Sequence, residues 1–506
     1  MSHHTTNKAV RNVFFSGVRL AIGIIATVCT SAILARTLGP GNMGIYGYAM
    51  WLVGTLGILA NIGLPSALTK FVSEYMGRGD STMAAHLGKR LLLTQLVVAL
   101  VVSGVTACFV LLKTPYRNVI VLAAIMVLLQ ALQQGLVAAL AGVQKFDKIA
   151  MVTLYVSLAQ VASIGVAALL HSGVLGMLWA TLIGLAVGAW LSYRAVDRLL
   201  LRLDTQPSSP APDMSDLYGR IRKFSLTISY VLLLDTIVWQ RSEVLFLKWY
   251  STLAEIAFYT LAYSIVSKMN DVASVFAGTL LPLYSESYGR SGLGEVGFFF
   301  RNSLKYLQMG MVPLCALGLV VAKPLVLLLY GAKFLPLVLT LQVLVVSLAV
   351  TSIGGVNSPL LLGIGKQDFI AKFGTVVAVL NLTLDFTLIP RYGALGAAVA
   401  NCAAQIVGAL GGTFYVIQYV KTRFPWKSTV TIYVAAAIAA APVYYCFARA
   451  QLGIALQAGS IAIGAVLYVG LLVIAGELEK SDWGVLRGAF LAKIGSAKPA
   501  QANDVV

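Results

Sequence analysis

About fourteen stretches of roughly twenty apolar residues follow one another along this chain of 506 residues. They lie near 13–35, 45–66, 91–112, 119–141, 150–170, 174–193, 224–247, 256–281, 304–322, 336–358, 370–388, 394–417, 430–447 and 455–475. Each is close to the length a helix needs to cross a hydrocarbon core about 30 Å thick. The expected fold is an all-α polytopic membrane protein of about 14 transmembrane helices. Twelve of them form two parallel-repeat six-helix bundles around a central cavity, and two are extra C-terminal helices.

The composition agrees, with 59% hydrophobic and only 11% charged residues, against about 25% charged in soluble domains. The net charge of +18 does not call for nucleic acid, because the basic residues are spread through short loops between apolar spans. Assigning alternate loops to the inside puts roughly 26 Lys and Arg inside and roughly 8 outside. Both termini are therefore expected in the cytoplasm, in the cell inner (cytoplasmic) membrane. The apolar run from Val13 to Ala35 exceeds a signal-peptide core and lacks a small-residue cleavage site, so it reads as a retained first helix. Cys29, Cys108, Cys315, Cys402 and Cys446 show no CxxC spacing and read as packing residues. No HExxH, Walker A or GxGxxG-after-strand motif is present, so neither a catalytic residue, a metal nor a cofactor is expected.

The longest loop, Arg194 to Lys223, has a Pro/Ser-rich middle, DTQPSSPAPD at 204–213, and divides the chain in two. The halves echo each other. GNMGIYGYA at 41–49 is matched by AEIAFYTLA at 254–262, and FVSEYMGRGD at 71–80 by LYSESYGRSG at 283–292. GVQKFDKIA at 142–150 is matched by GIGKQDFIA at 363–371, and GVLGMLWA at 173–180 by GALGAAVA at 393–400. With six spans per half, the repeat is parallel. The expected organisation is an N-terminal bundle at 1–203, a cytoplasmic linker at 204–216, a C-terminal bundle at 217–420, helices 13 and 14 at 421–476, and a cytoplasmic tail at 477–506. Within the tail, Trp483, Leu486, Phe490 and Ile494 would share one face of a short amphipathic helix. Gly184 and Gly188 form a GxxxG expected to pack within its bundle.

Several spans carry ionisable residues, each costing about 2.5–3.5 kcal/mol at bilayer depth unless it faces protein or water. Ser229 to Trp249, SYVLLLDTIVWQRSEVLFLKW, reads as one helix bearing Asp235, Arg241 and Glu243. Arg241 and Glu243, two apart, cannot pair locally. Lys268 and Asp271, three apart, can. Arg19 and Asp385 complete the set.

LARTLGPGNMGIYGYA at 34–49, GLPSALTKFVSEY at 63–75 and NLTLDFTLIPRYGALGAAVAN at 381–401 resemble the polysaccharide flippase family. These are the Wzx-type, lipid-linked oligosaccharide translocases of the multidrug/oligosaccharidyl-lipid/polysaccharide exporter superfamily. The likeness runs from about Asn12 to Thr422. It implies two six-helix bundles in a V around a central cavity. It also implies flipping of a polyprenyl-pyrophosphate-linked glycan from the inner to the outer leaflet, as in O-antigen, lipopolysaccharide or exopolysaccharide synthesis. Membrane lipids and a glycan polymerase or export machinery are the partners it implies.

A pyrophosphate offers acceptor oxygens that suit the planar fork of Arg and the point charge of Lys. Sugars suit aromatic faces and amides. The substrate-binding candidates are accordingly Arg241, Lys268, Arg19, Trp239, Tyr46 and Asn381. Trp51, Tyr230, Gln130, Gln133 and Gln134 are also available for sugar contacts. Carboxylates that titrate or hold a cation would couple transport to an ion, which selects Asp235, Glu243, Asp271 and Asp385. The runner-up function is a cation-coupled multidrug antiporter of the same superfamily, which would want an acidic, aromatic pocket. A membrane glycosyltransferase or polymerase would need a large outside loop with carboxylates, and the outside loops here are short.

Overall fold

A computed structural model describes residues 3–108, 117–197, 214–239, 242–448 and 454–478. Among them the regular structure is helical. In chain order the helices are α1 (His3–Asn61), α2 (Leu64–Gly77), α3 (Ser81–Cys108), α4 (Arg117–Gly142), α5 (Phe146–Leu169), α6 (Gly173–Val196), α7 (Met214–Trp239), α8 (Glu243–Tyr250), α9 (Leu253–Ser291), α10 (Leu293–Leu329), α11 (Leu337–Thr351), α12 (Asn357–Gly363), α13 (Gln367–Val420), α14 (Trp426–Ala448) and α15 (Ile454–Ile474). The tail from Glu479, the Pro/Ser-rich stretch at 204–213 and the whole of Arg241 lie outside the described residues, as do the side chains of Asp235 and Trp239.

Ten segments among the described residues are long and apolar enough to cross a membrane. Two of them, Phe15–Asn61 and Gln367–Val420, run to 47 and 54 residues, enough for two crossings each. With α7 and α9, whose apolar runs are interrupted by charged residues, the described helices accommodate the fourteen expected spans. The two double spans share one construction. In α1 the helical course breaks at Gly39 (φ 70, ψ 173), next to Pro40. In α13 it breaks at Gly393 (φ 54, ψ −130), three residues after Pro390. Glycine tolerates a positive φ without a Cβ clash, and proline withholds a backbone donor, so each pair turns over within a residue or two. The sequence places a turn at Leu38-Gly39-Pro40-Gly41 and another at Pro390. The second break falls at Gly393, at the end of the turn that Pro390 opens.

The internal repeat extends to the backbone. Gln144 and Gly365, matched in the alignment of 142–150 with 363–371, both adopt positive φ (57 and 74). Gly173 and Gly393, matched in the next echo, do the same (65 and 54). Glu74 and Arg78 form an ion pair at 2.5 Å, whereas the echoing Arg290 turns to Glu295, also at 2.5 Å.

Packing divides the chain into two compact units. One comprises Met1–Val272, Lys323–Ser347 and Lys366–Gly412, and the other Ala273–Ala322, Leu348–Gly365 and Thr413–Val506. In the first, α2 lays Leu68 and Phe71 against Leu87 of α3, Leu140 of α4 and Leu217 of α7. There the GxxxG on α6 serves packing: a Cβ on Gly184 would lie 3.2 Å from Gln160, and one on Gly188 would strike Gln133. In the second unit, α14 and α15 pack Ile432, Ala436, Tyr468 and Leu472 around Val312 of α10. Lys305 of α10 pairs with Glu477 just after α15 at 3.0 Å, both largely buried.

Candidate functional site

Two polar features stand inside the apolar first unit. Each lies against one of the kinked helices.

The first is a buried core between the two arms of α13. Glu243, the first residue of α8, is fully buried, and so are Asp385 and Asn381 before the bend and Asn401 after it. Asn401 donates from Nδ2 to Glu243 Oε1 at 2.8 Å and accepts from Gln405 Nε2 at 2.6 Å. Ser242 donates from Oγ to Asp385 Oδ2 at 3.0 Å. Asn381 Nδ2 lies 3.1 Å from Ser242 Oγ, 3.3 Å from Asp385 Oδ2 and 3.4 Å from Glu243 Oε1, so one amide bridges both carboxylates. Tyr259 of α9, fully buried, stands beside Glu243. Glu243 Oε2 and Asp385 Oδ1 make no hydrogen bond to the described residues. Two carboxylates sharing one amide in a dry site cannot both stay charged without a proton or a cation between them. The all-oxygen donor set fits a hard cation or a proton, not a thiophilic metal.

The bend itself is tied down beside this core. The carboxylate of Glu255 accepts from the backbone N–H of Ala394 at 2.7 Å, capping the second arm of α13, and Gly393 leaves room for it.

The second feature is a cavity of about 370 Å³ between the two arms of α1. Thr27, Thr30 and Ser31 line it from before the Gly39 break and Tyr46 from after it. Ser157 and Gln160 of α5, with Thr260 and Ser264 of α9, complete the polar lining. No charged residue lines it. Next to it, Ser31 Oγ lies 3.4 Å from the Tyr330 hydroxyl, and Arg36 donates through Nε to the Leu329 carbonyl at 3.0 Å and through its second nitrogen to that of Leu328. That fork caps the C-terminal end of α10 with a positive charge, where the helix dipole favours one.

The sequence-derived candidates divide between these features. Glu243, Asp385 and Asn381 meet in the buried core, so Asn381 joins the carboxylates and not the cavity. Tyr46 lines the cavity. Lys268 and Asp271 pair with each other at 2.8 Å on α9, about a third exposed. Arg19 is exposed on α1 and does not line the cavity. The helix expected to run unbroken from Ser229 to Trp249 is two helices among the described residues, with Ser242 in a turn and Glu243 opening α8. Gln134 bonds Asn61 at 2.7 Å, within an amide cluster that includes Gln95, and lies outside the cavity lining. Tyr230 bonds Thr375 at 2.9 Å. Sequence reasoning missed Asn401, Gln405, Ser242 and Tyr259, and the Ser/Thr wall of the cavity. A signal existed for the first two: they are amides one turn apart in an otherwise apolar span.

A family model described as polysaccharide biosynthesis protein matches residues 9–288. A probable low-salt glycan biosynthesis flippase, Agl15 of Haloferax volcanii, is 21% identical over 424 residues, which is 83% of this chain and 84% of that protein. Among solved structures, the lipid II flippase MurJ in an inward closed conformation superposes with a TM-score of 0.66 at 15% identity, covering 91% of this chain and 98% of that one. An inward-facing multidrug resistance MATE family transporter of the MOP superfamily gives 0.65 at 16% identity, covering 80% and 98%. At such identities the likeness to the two structures shows the fold, and both belong to transporters, not enzymes. With its family model spanning more than half of the sequence, the chain belongs to the polysaccharide biosynthesis protein family.

Proposed function

We propose that the protein flips a polyprenyl-pyrophosphate-linked oligosaccharide or polysaccharide precursor from the cytoplasmic to the outer leaflet of the inner membrane by alternating access. On this reading a cation or proton shuttles through the Glu243–Asp385 pair. The glycan would feed a surface polymer such as an O-antigen or exopolysaccharide, handed on to a polymerase or export machinery. The observation that carries the reading is the separation of the two polar features. The carboxylates are buried among amides between the arms of α13, while the cavity is lined by hydroxyls and an amide without a charge. An exporter of cationic drugs would instead place acid and aromatic faces in the cargo cavity, and Tyr46 is the one aromatic residue in this lining.

The test uses purified full-length protein in proteoliposomes holding a fluorescent polyprenyl-pyrophosphate disaccharide, with sodium or proton gradients imposed in turn. The expected result is gradient-accelerated movement between leaflets. Glu243→Gln and Asp385→Asn should each slow it at least about tenfold while leaving protein abundance unchanged. Wild-type rates in both variants would remove the pair from coupling. Extrusion of a cationic dye with no movement of the glycolipid would establish the antiporter in its place.

A further inference from the structure

We infer that the cavity between the arms of α1 is a sugar subsite built for uncharged saccharide units, which admits hydroxyl-rich rings and rejects uronic acids. The inference deepens the flippase reading and rests on it for the identity of the cargo.

The argument begins with where the hydroxyl protons go. Thr27 donates to Gly23 O at 2.7 Å, Thr30 to Ala26 O at 2.7 Å and Ser31 to Val28 O at 3.0 Å. Thr260 donates to Ile256 O and Ser264 to Leu261 O, each at 2.8 Å. Thr181 of α6 spends its proton on Met177 O at 2.9 Å, so in the 3.0 Å contact between Tyr46 and Thr181 it is Tyr46 that donates. Six of the eight polar side chains in the lining have thus committed their protons and keep only oxygen lone pairs for a ligand.

The remaining two, Ser157 and Gln160, make no side-chain hydrogen bond to the described residues. They lie three apart on α5 and so share one face. Gly184 of α6 approaches the base of Gln160 closely enough that a Cβ there would sit 3.2 Å away, which restricts the freedom of that side chain. The cavity therefore presents acceptors from α1 and α9 opposite a small donor edge from α5.

A sugar hydroxyl is donor and acceptor at once, so a pyranose can satisfy both walls. Leu34, Met43, Met50 and Leu261 offer apolar surface to its C–H faces. A carboxylate accepts only, and here it would meet lone pairs with no Lys or Arg in the lining to offset its desolvation. A permanent cation would meet acceptors but would find no counter-charge in the lining to offset its desolvation. The volume of about 370 Å³ lies within the range of about 300–1,000 Å³ typical of small-ligand pockets.

The experiment measures binding to full-length protein in lipid nanodiscs with three radiolabelled probes. These are a neutral hexose disaccharide, the same disaccharide oxidised to a uronic acid at one primary hydroxyl, and a tetraalkylammonium ion. The neutral sugar should bind at least about tenfold more tightly than either of the others. Gln160→Glu should weaken the neutral probe, reject the uronic acid further and shift the preference toward the ammonium ion, and Gln160→Lys should shift it toward the uronic acid. Ser157→Ala, which removes only a hydroxyl, should weaken the neutral probe severalfold and guards against misfolding of the Gln160 variants. Equal binding of neutral and acidic probes, or unchanged binding in the Ser157 and Gln160 variants, would overturn the inference. So would tightest binding of the ammonium ion. The same preparations assayed for lipid-linked glycan movement separate the two readings. Selective sugar binding without movement would refute the flippase and leave the subsite standing, and movement blind to sugar charge would do the reverse.

Discussion

Asn401 donates to Glu243 and accepts from Gln405, so it joins an acid on α8 to the second arm of α13. Asn401→Leu keeps the volume roughly and removes both bonds. Stranding those partners in a dry core should cost about 1–3 kcal/mol, read as a lower thermal midpoint of the purified protein. The double variant with Glu243→Leu should recover part of that loss, since a buried acid without a partner is worse than none. An unchanged midpoint in Asn401→Leu would show that water or a reoriented amide takes over the role. Arg241, next to this core in sequence, is proposed to hold the substrate pyrophosphate. Arg241→Ala should abolish glycan export with the protein still abundant in the membrane, and Arg241→Lys should restore only part, because a point charge does not replace the bidentate fork. Scarce protein rescued by a second neutralisation at Asp235 or Asp271 would assign Arg241 to the scaffold. At this scale the sequence disclosed the acids and not their company. A charged side chain in an apolar span is conspicuous by itself. The partners of Glu243 are 138 to 158 positions away, a distance that local spacing cannot report. The hydroxyl wall of the cavity was illegible for a related reason, as Ser and Thr are unremarkable in a membrane helix until their neighbours are known.

Between elements, the two glycine breaks show what was readable and what was not. Gly-Pro and Pro-x-x-Gly pairs announce turns wherever they occur. That the flanking spans form one bent helix, and that Glu255 seals the second bend, depends on α9 arriving beside it. Gly393→Ala should therefore do two separable things. Forcing a Cβ onto this glycine-favouring conformation (φ 54, ψ −130) costs about 1–3 kcal/mol, and that Cβ would sit 2.8 Å from the Glu255 carboxylate. Adding Glu255→Ala should relieve the crowding and leave the backbone term, so the thermal midpoint of the double variant should lie above that of Gly393→Ala and below that of Glu255→Ala. A Gly393→Ala protein as stable as the parent would mean that the break is dispensable. The span from Ser229 to Trp249 reads as continuous by its length, but the polar run Gln240 to Glu243 falls between the end of α7 and the start of α8. The hydroxyl of Ser242, ahead of α8, is held instead by Asp385 and Asn381 of α13.

For the molecule as a whole, the number of crossings was the most legible property, because a bilayer imposes one length on every span. Sidedness is a further expectation of the Lys and Arg bias. Reporter fusions at Thr205 and Val506 should both report the cytoplasm, and activity of an outside-only reporter at either position would overturn the orientation. The bent helices α1 and α13 bear on how such a chain enters the membrane. Where two crossings are joined by a residue or two, neither can be held in the bilayer while the other waits in water. The first two spans are therefore expected to insert together, as one hairpin. The same holds for the pair that meets at Gly393. Both ends of the family signature are thus insertion units as well as turns, and an epitope placed in either break would test the biogenesis of two spans and not the exposure of a loop.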